Sequence, residues 1–90
     1  MGFVLTRKEL EEILQSSGMY PERNNDAIQM IMPFLQGYNQ RISSIGTAAI
    51  SIKSYLSKDL LNAMDFLGVP KNRQQEALDR IVGIIARKNS

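Results

Sequence analysis

Apolar residues recur at helical spacing along nearly the whole chain, and residues that start and stop helices divide the pattern into segments. Thr6-Arg7-Lys8-Glu9 reads as a capping box, in which the threonine hydroxyl accepts a first-turn amide and Glu9 reaches back. Leu10, Ile13, Leu14 and Ser17 then share one face, while Arg7 with Glu11 and Lys8 with Glu12 can pair on the other. Gly18 supplies the left-handed residue that ends a helix, so the first helix is predicted over about 6–17. Tyr20-Pro21-Glu22 opens the next, with Glu22 and Asp26 at the positive end of its dipole. Ala27, Ile28, Ile31, Phe34 and Leu35 form its apolar face, and Pro33 predicts a bend or stop near Met32.

From Leu35 onward the spacing becomes heptad: Leu35, Tyr38, Ile42, Ile45, Ala49, Ile52 and Leu56. This describes either one long, kinked helix over about 22–56 or two helices broken around Gly37. Gly46 and the neighbouring serines weaken the middle of that segment. The small residues Ser43, Ser44, Gly46, Thr47, Ala48 and Ala49 suit close backbone approach, which favours a buried central helix. Ser57-Lys58-Asp59 predicts the cap of a further helix carrying Leu60, Leu61, Met64 and Leu67, ended by Gly68. After Pro70 a last helix carries Ala77, Leu78, Ile81, Val82, Ile84 and Ile85, with Arg87 and Lys88 in its final turn. The expected fold is an all-α, five-helix bundle in one domain, with two similar hairpins (about 6–35 and 56–85) flanking a central helix.

The two hairpins also match each other at an offset of fifty residues. Lys8-Glu9-Leu10 corresponds to Lys58-Asp59-Leu60, Gly18 to Gly68, and Ile31 to Ile81. Arg23-Asn24-Asn25-Asp26-Ala27-Ile28 corresponds to Arg73-Gln74-Gln75-Glu76-Ala77-Leu78, polar positions included. Helical hairpins slid past one another coincide at caps and apolar positions anyway; the agreement of the polar run favours an internal two-fold repeat.

Composition narrows the chemistry. The 90 residues include no cysteine and no histidine, which removes disulfides, the commonest metal ligand and the commonest general base. No nucleophile elbow, Ser-x-x-Lys pair or phosphate-cradling glycine loop is present. The carboxylate pairs Glu9/Glu12, Glu22/Asp26 and Glu76/Asp79 sit one turn apart near helix starts, where solvated acidic faces are the ordinary finding. The expectation is therefore no enzyme, no cofactor, no metal and no small-molecule substrate. Uncharged runs such as Ile42–Ile52 fall short of the roughly 18 apolar residues of a membrane span. The first residues read as too short for a signal peptide, and Gly2 with Thr6, although at myristoylation spacing, reads better with Thr6 as a helix cap. A cytoplasmic location is expected.

Two functional readings follow. The apolar excess of Met30, Phe34, Ile81, Val82, Ile84 and Ile85 suggests more surface than one small core can bury, hence a protein-binding face. That reading describes a regulatory or adaptor protein, self-associating as a homodimer through the heptad segment or receiving another protein's helix. The alternative is a DNA-binding regulator. The net charge is only +2 and the basic residues are scattered, but each hairpin resembles a degenerate helix-turn-helix, with Ala63, Gly68 and Val69 suitably placed and Gln74 standing where a buried hydrophobe belongs. Its nucleic-acid contacts would be Arg23, Asn24 and Asn25 with Arg73, Gln74 and Gln75; the same triplets also read as polar first-turn residues.

Overall fold

The computed structural model describes residues 4–90, so Met1-Gly2-Phe3, where the signal-peptide and myristoylation readings fall, lies outside the described residues. Five α-helices are present among the described residues: α1 (Arg7–Ser16), α2 (Asn24–Gln40), the four-residue α3 (Ile42–Ile45), α4 (Ala49–Phe66) and α5 (Lys71–Lys88). A 3-10 turn, Pro21–Arg23, leads into α2. There is no strand among the described residues, and the fold is the expected all-α bundle.

The capping box forms as predicted. The Thr6 hydroxyl accepts from the Glu9 amide at 3.2 Å, and the Thr6 amide donates to the Glu9 carboxylate at 2.8 Å. Both predicted glycine stops also form, with the same hydrogen bonds. After α1 the Met19 amide donates to the Leu14 carbonyl and the Gly18 amide to Gln15. After α4 the Val69 amide donates to Met64 and the Gly68 amide to Asp65. Gly18 and Gly68 lie at φ +109 and +85, the left-handed region these Schellman ends require. Met19 and Val69, one residue later, are buried in the core.

The middle of the chain differs from expectation. Helix α2 continues without a break through Pro33 and Gly37 to Gln40. Pro33 and Gln29, whose carbonyl loses its donor, are both exposed, so that carbonyl can be solvated and the helix tolerates the loss. Nor does Ser57-Lys58-Asp59 cap a helix: it lies inside α4, because Ile52, Leu56, Leu60, Ala63 and Met64 make one unbroken buried stripe through it. The break falls instead between Arg41 (φ −110, ψ 14) and Ala48, with Gly46 at φ 91, ψ −178. There the chain reverses, and α4 packs antiparallel against α2: Tyr38 meets Tyr55 at one end and Arg23 meets Phe66 at the other.

The core is continuous, from Leu5 through Leu10, Leu14, Ile31, Leu35, Leu56, Leu60 and Leu78 to Ile85. Helix α5 lies along α4 and also touches α1. Covered on two sides, it buries Ile81, Val82 and Ile85 together. A helix with two neighbours accommodates a wider apolar face than a helix with one, and Ile84, the fourth of the residues expected to exceed one small core, stays half-buried. None of the helices among the described residues is long and apolar enough to cross a membrane.

Candidate interaction surface

The residues proposed from sequence for DNA contact lie where the two hairpins meet. The Arg23 guanidinium donates to the Phe66 carbonyl at the end of α4, 3.4 Å away, and sits 5.4 Å from the centre of the Phe66 ring. It also pairs with Asp26 at 3.1 Å. Arg73, fifty residues on, donates to the Ser16 carbonyl at the end of α1, again at 3.4 Å. Ser16 and Phe66 are themselves fifty apart, so each hairpin's arginine caps the helix end of the other, as contacts across a two-fold axis do. Positive charge at a helix C-terminus is favourable twice over, satisfying a free carbonyl and opposing the dipole. Arg80 adds to the α1 end, donating to the Ser16 hydroxyl at 2.8 Å.

The flanking amides are likewise engaged. Asn24 accepts from Gln15 at 3.0 Å and Asn25 from Arg7 at 3.2 Å. Gln74 is buried and donates to the Val69 carbonyl at 2.9 Å and to the Asp65 carboxylate at 3.2 Å. Gln75 is exposed. Polar residues at the positions of a recognition helix here fasten turns. The two arginines find partners in the other hairpin, and Asn24, Asn25 and Gln74 find theirs within their own, pairings that residue type alone does not reveal.

The carboxylate pairs are similarly divided. Glu9 binds Lys88 at 2.6 Å, Asp26 binds Arg23, and Asp79 binds Lys53 at 2.8 Å. The hydrogen bond from Lys88, then that from the Thr6 amide, holds the Glu9 carboxyl below its ordinary range. The stability this confers is present above the ordinary glutamate pKa and disappears as pH falls through the lowered one. The pair is about a third exposed, so its contribution is small. Among the described residues no group of three or more acidic side chains gathers as a metal site.

Of the residues proposed for protein contact, Met30, Phe34 and Ile84 are half-buried against the core, whereas Ile81, Val82 and Ile85 lie inside it. A partner could reach the last three only by opening the bundle. The apolar side chains that do face outward are different ones: Ile50 (80 % exposed), Tyr20 (75 %), Phe66 (67 %) and Tyr55 (37 %). Phe66 is partly covered by Arg23. Ile50 and Tyr55 flank a shallow depression on α4 floored by Ser51 and Ser54, and the Tyr55 ring leans on Tyr38, 6.3 Å between centres. Ile50 is not among the residues proposed from sequence, and it falls outside the heptad stripe of Ala49, Ile52 and Leu56. An isoleucine off-stripe in an amphipathic helix was the available signal.

The seven heptad residues are divided by the chain reversal. Leu35, Tyr38, Ile52 and Leu56 are fully buried, Ile42 and Ile45 half-buried, and Ala49 exposed. The buried Tyr38 hydroxyl donates to the Gly46 carbonyl at 2.7 Å, closing the reversal, and burial raises its pKa so that it stays a donor. Compared with models of known protein families, with curated proteins and with solved structures, the chain finds no significant match in any of the three.

Proposed function

We propose that this chain is a small, non-catalytic regulatory or adaptor protein that acts in the cytoplasm by contacting protein, and that a second copy of itself is among its partners. The observation that carries this reading is Ile50. It stands 80 % exposed on the first turns of α4, beside Tyr55, in a bundle that encloses most of its large aliphatic side chains. Burying such a side chain against a partner gains about 1.5–3 kcal/mol, which the isolated chain forgoes. Ser51 and Ser54 between the two side chains leave room for another helix to approach. The non-catalytic part of the reading rests on the missing histidine and cysteine and on carboxylates engaged in ion pairs. The intramolecular bonds of Arg23, Asn24, Asn25, Arg73 and Gln74 favour structural roles for those residues over DNA contact.

The test immobilises wild-type protein and the Ile50→Asp variant as baits in native extract, with retained proteins quantified and folding checked by circular dichroism. Loss of a specific partner, by about tenfold or more, on Ile50→Asp is expected. Equal retention by both baits overturns this placement of the surface. Anisotropy of labelled random duplex DNA provides the competing arm. Salt-sensitive binding that disappears in Arg23→Glu/Arg73→Glu would instead favour the DNA regulator.

A further inference from the structure

From the chain reversal at residues 41–48 we infer that two copies of this chain exchange hairpins, with α2, α3 and α4 opening into one continuous helix that pairs antiparallel with its counterpart. The inference deepens the self-association part of the proposed function and rests on it.

Three observations converge on it. First, the heptad register of Leu35, Tyr38, Ile42, Ile45, Ala49, Ile52 and Leu56 continues unbroken across a segment where the helix itself is broken. A hairpin has no use for register kept through its turn, whereas a straight helix does. Antiparallel pairing of two such helices sets Tyr38 against the second copy's Leu56, Ile42 against Ile52, and Ile45 against Ala49. The first of these layers keeps the packing that α2 and α4 already have, in which Tyr38 lies beside Tyr55. The remaining layers bury Ile42, Ile45 and Ala49, which the closed chain leaves half-buried or exposed. Ser43, Ser44, Gly46, Thr47 and Ala48 fall where the two helices cross, and their size permits close approach.

Second, the interface between the two halves is complete without the reversal. The reciprocal arginine caps, the contact of α1 with α5 and the Lys88–Glu9 ion pair all join residues before the break to residues after it. Each can form between copies as it does within one. Exchange therefore loses none of these contacts and gains the two new layers.

Third, the closed reversal is lightly held. Gly46 occupies φ 91, ψ −178, a conformation in which residues with a Cβ are strained, and no atom lies within 4 Å of where that Cβ would be. Its side-chain tie is the Tyr38 hydrogen bond.

These features set the experiment. Gly46→Ala strains the closed turn and favours helix, so it should lower the concentration of half-dimerisation on the order of 100-fold or more, read by sedimentation equilibrium after refolding. Tyr38→Phe, which only unties the turn, should shift it the same way by about tenfold and serves where Gly46→Ala fails to fold. Adding Ala49→Glu, exposed in the closed chain but inside a layer of the dimer, should return either variant to monomer. Scattering from the dimer should show a helix of about 64 Å, against a 34 Å long axis for the closed chain. The identity of the exchange is read by zero-length carbodiimide coupling of Glu9 to Lys88 in dimers refolded from mixed ¹⁴N and ¹⁵N chains. Mixed-isotope Glu9–Lys88 peptides are expected. A dimer whose Glu9–Lys88 peptides are all single-isotope overturns the exchange while leaving self-association standing. Variants that stay monomeric at every concentration overturn the exchange and, where wild type is also monomeric, the self-association, but leave the Ile50 surface to its own test.

Discussion

The hairpin of α1 with the start of α2 and the hairpin of α4 with α5 solve one problem with different surroundings. Positions 11–20 and 61–70 have the same succession of buried, intermediate and exposed residues. Leu10 and Leu60, Leu14 and Met64, Ala27 and Ala77, and Ile31 and Ile81 are all buried at corresponding places. The differences lie at the entrances. Hairpin one begins at a capped terminus, Thr6; hairpin two begins in the middle of α4, where Ser57 corresponds to Arg7 and no cap is needed. At the turns, Gly18 packs against Pro70, whereas Gly68 faces open space. Asn24 is half-exposed with one bond; Gln74 is buried with two. Core positions and helix ends are common to both, and what varies is what each neighbour imposes.

That comparison can be broken most sharply at the core. Leu10→Ala and Leu60→Ala should each cost about 2–5 kcal/mol, since both side chains are fully enclosed. Urea unfolding of the two variants should give values alike; a large cost at one site and a small one at the other would mean that the hairpins do not share a core equally. The glycines come next. Gly68→Ala should cost about 1 kcal/mol for its positive φ, and Gly18→Ala about 1–3 kcal/mol more, because its new Cβ would stand 2.8 Å from the Pro70 ring. Equal melting points for the two would show that Pro70 moves aside freely. The smallest effect separates the entrances. Thr6→Ala should lose about 1 kcal/mol with the capping box, while Ser57→Ala, inside a helix, should be neutral or stabilising by a few tenths. A comparable loss at Ser57 would restore a helix boundary there.

The local devices were legible because each depends only on nearby residues. Thr6 with Glu9 and the two left-handed glycines act within one turn of chain, and they form where the sequence places them. Ser57-Lys58-Asp59 carries an equally good local signal and does nothing, since α4 already has a buried stripe on both sides of it. Pro33 is an equally good breaker and breaks nothing, because its lost bond falls on the exposed side. The candidate site was less legible still. Arginine, asparagine and glutamine at helix starts have the right chemistry for base edges, yet here the arginines meet carbonyls at the ends of other helices and Gln74 fastens the turn that precedes its own helix. Ile81, Val82 and Ile85 are taken up because α5 touches both α4 and α1, a placement that residue type does not reveal.

By itself, then, the sequence determined an all-helical chain, the start of α1, the ends of α1 and of α4, and the spacing that puts Leu10, Leu14, Ile31, Leu60 and Ile81 inside. These follow from backbone conformation and helical period, which need no knowledge of the rest of the molecule. Tertiary structure decided where the middle of the chain turns, which polar residues become fasteners, and which apolar residues remain for a partner. Each of those depends on what arrives from far along the chain. A turn is placed where folding back buries the most, and a side chain is surplus only after its neighbours have taken their positions.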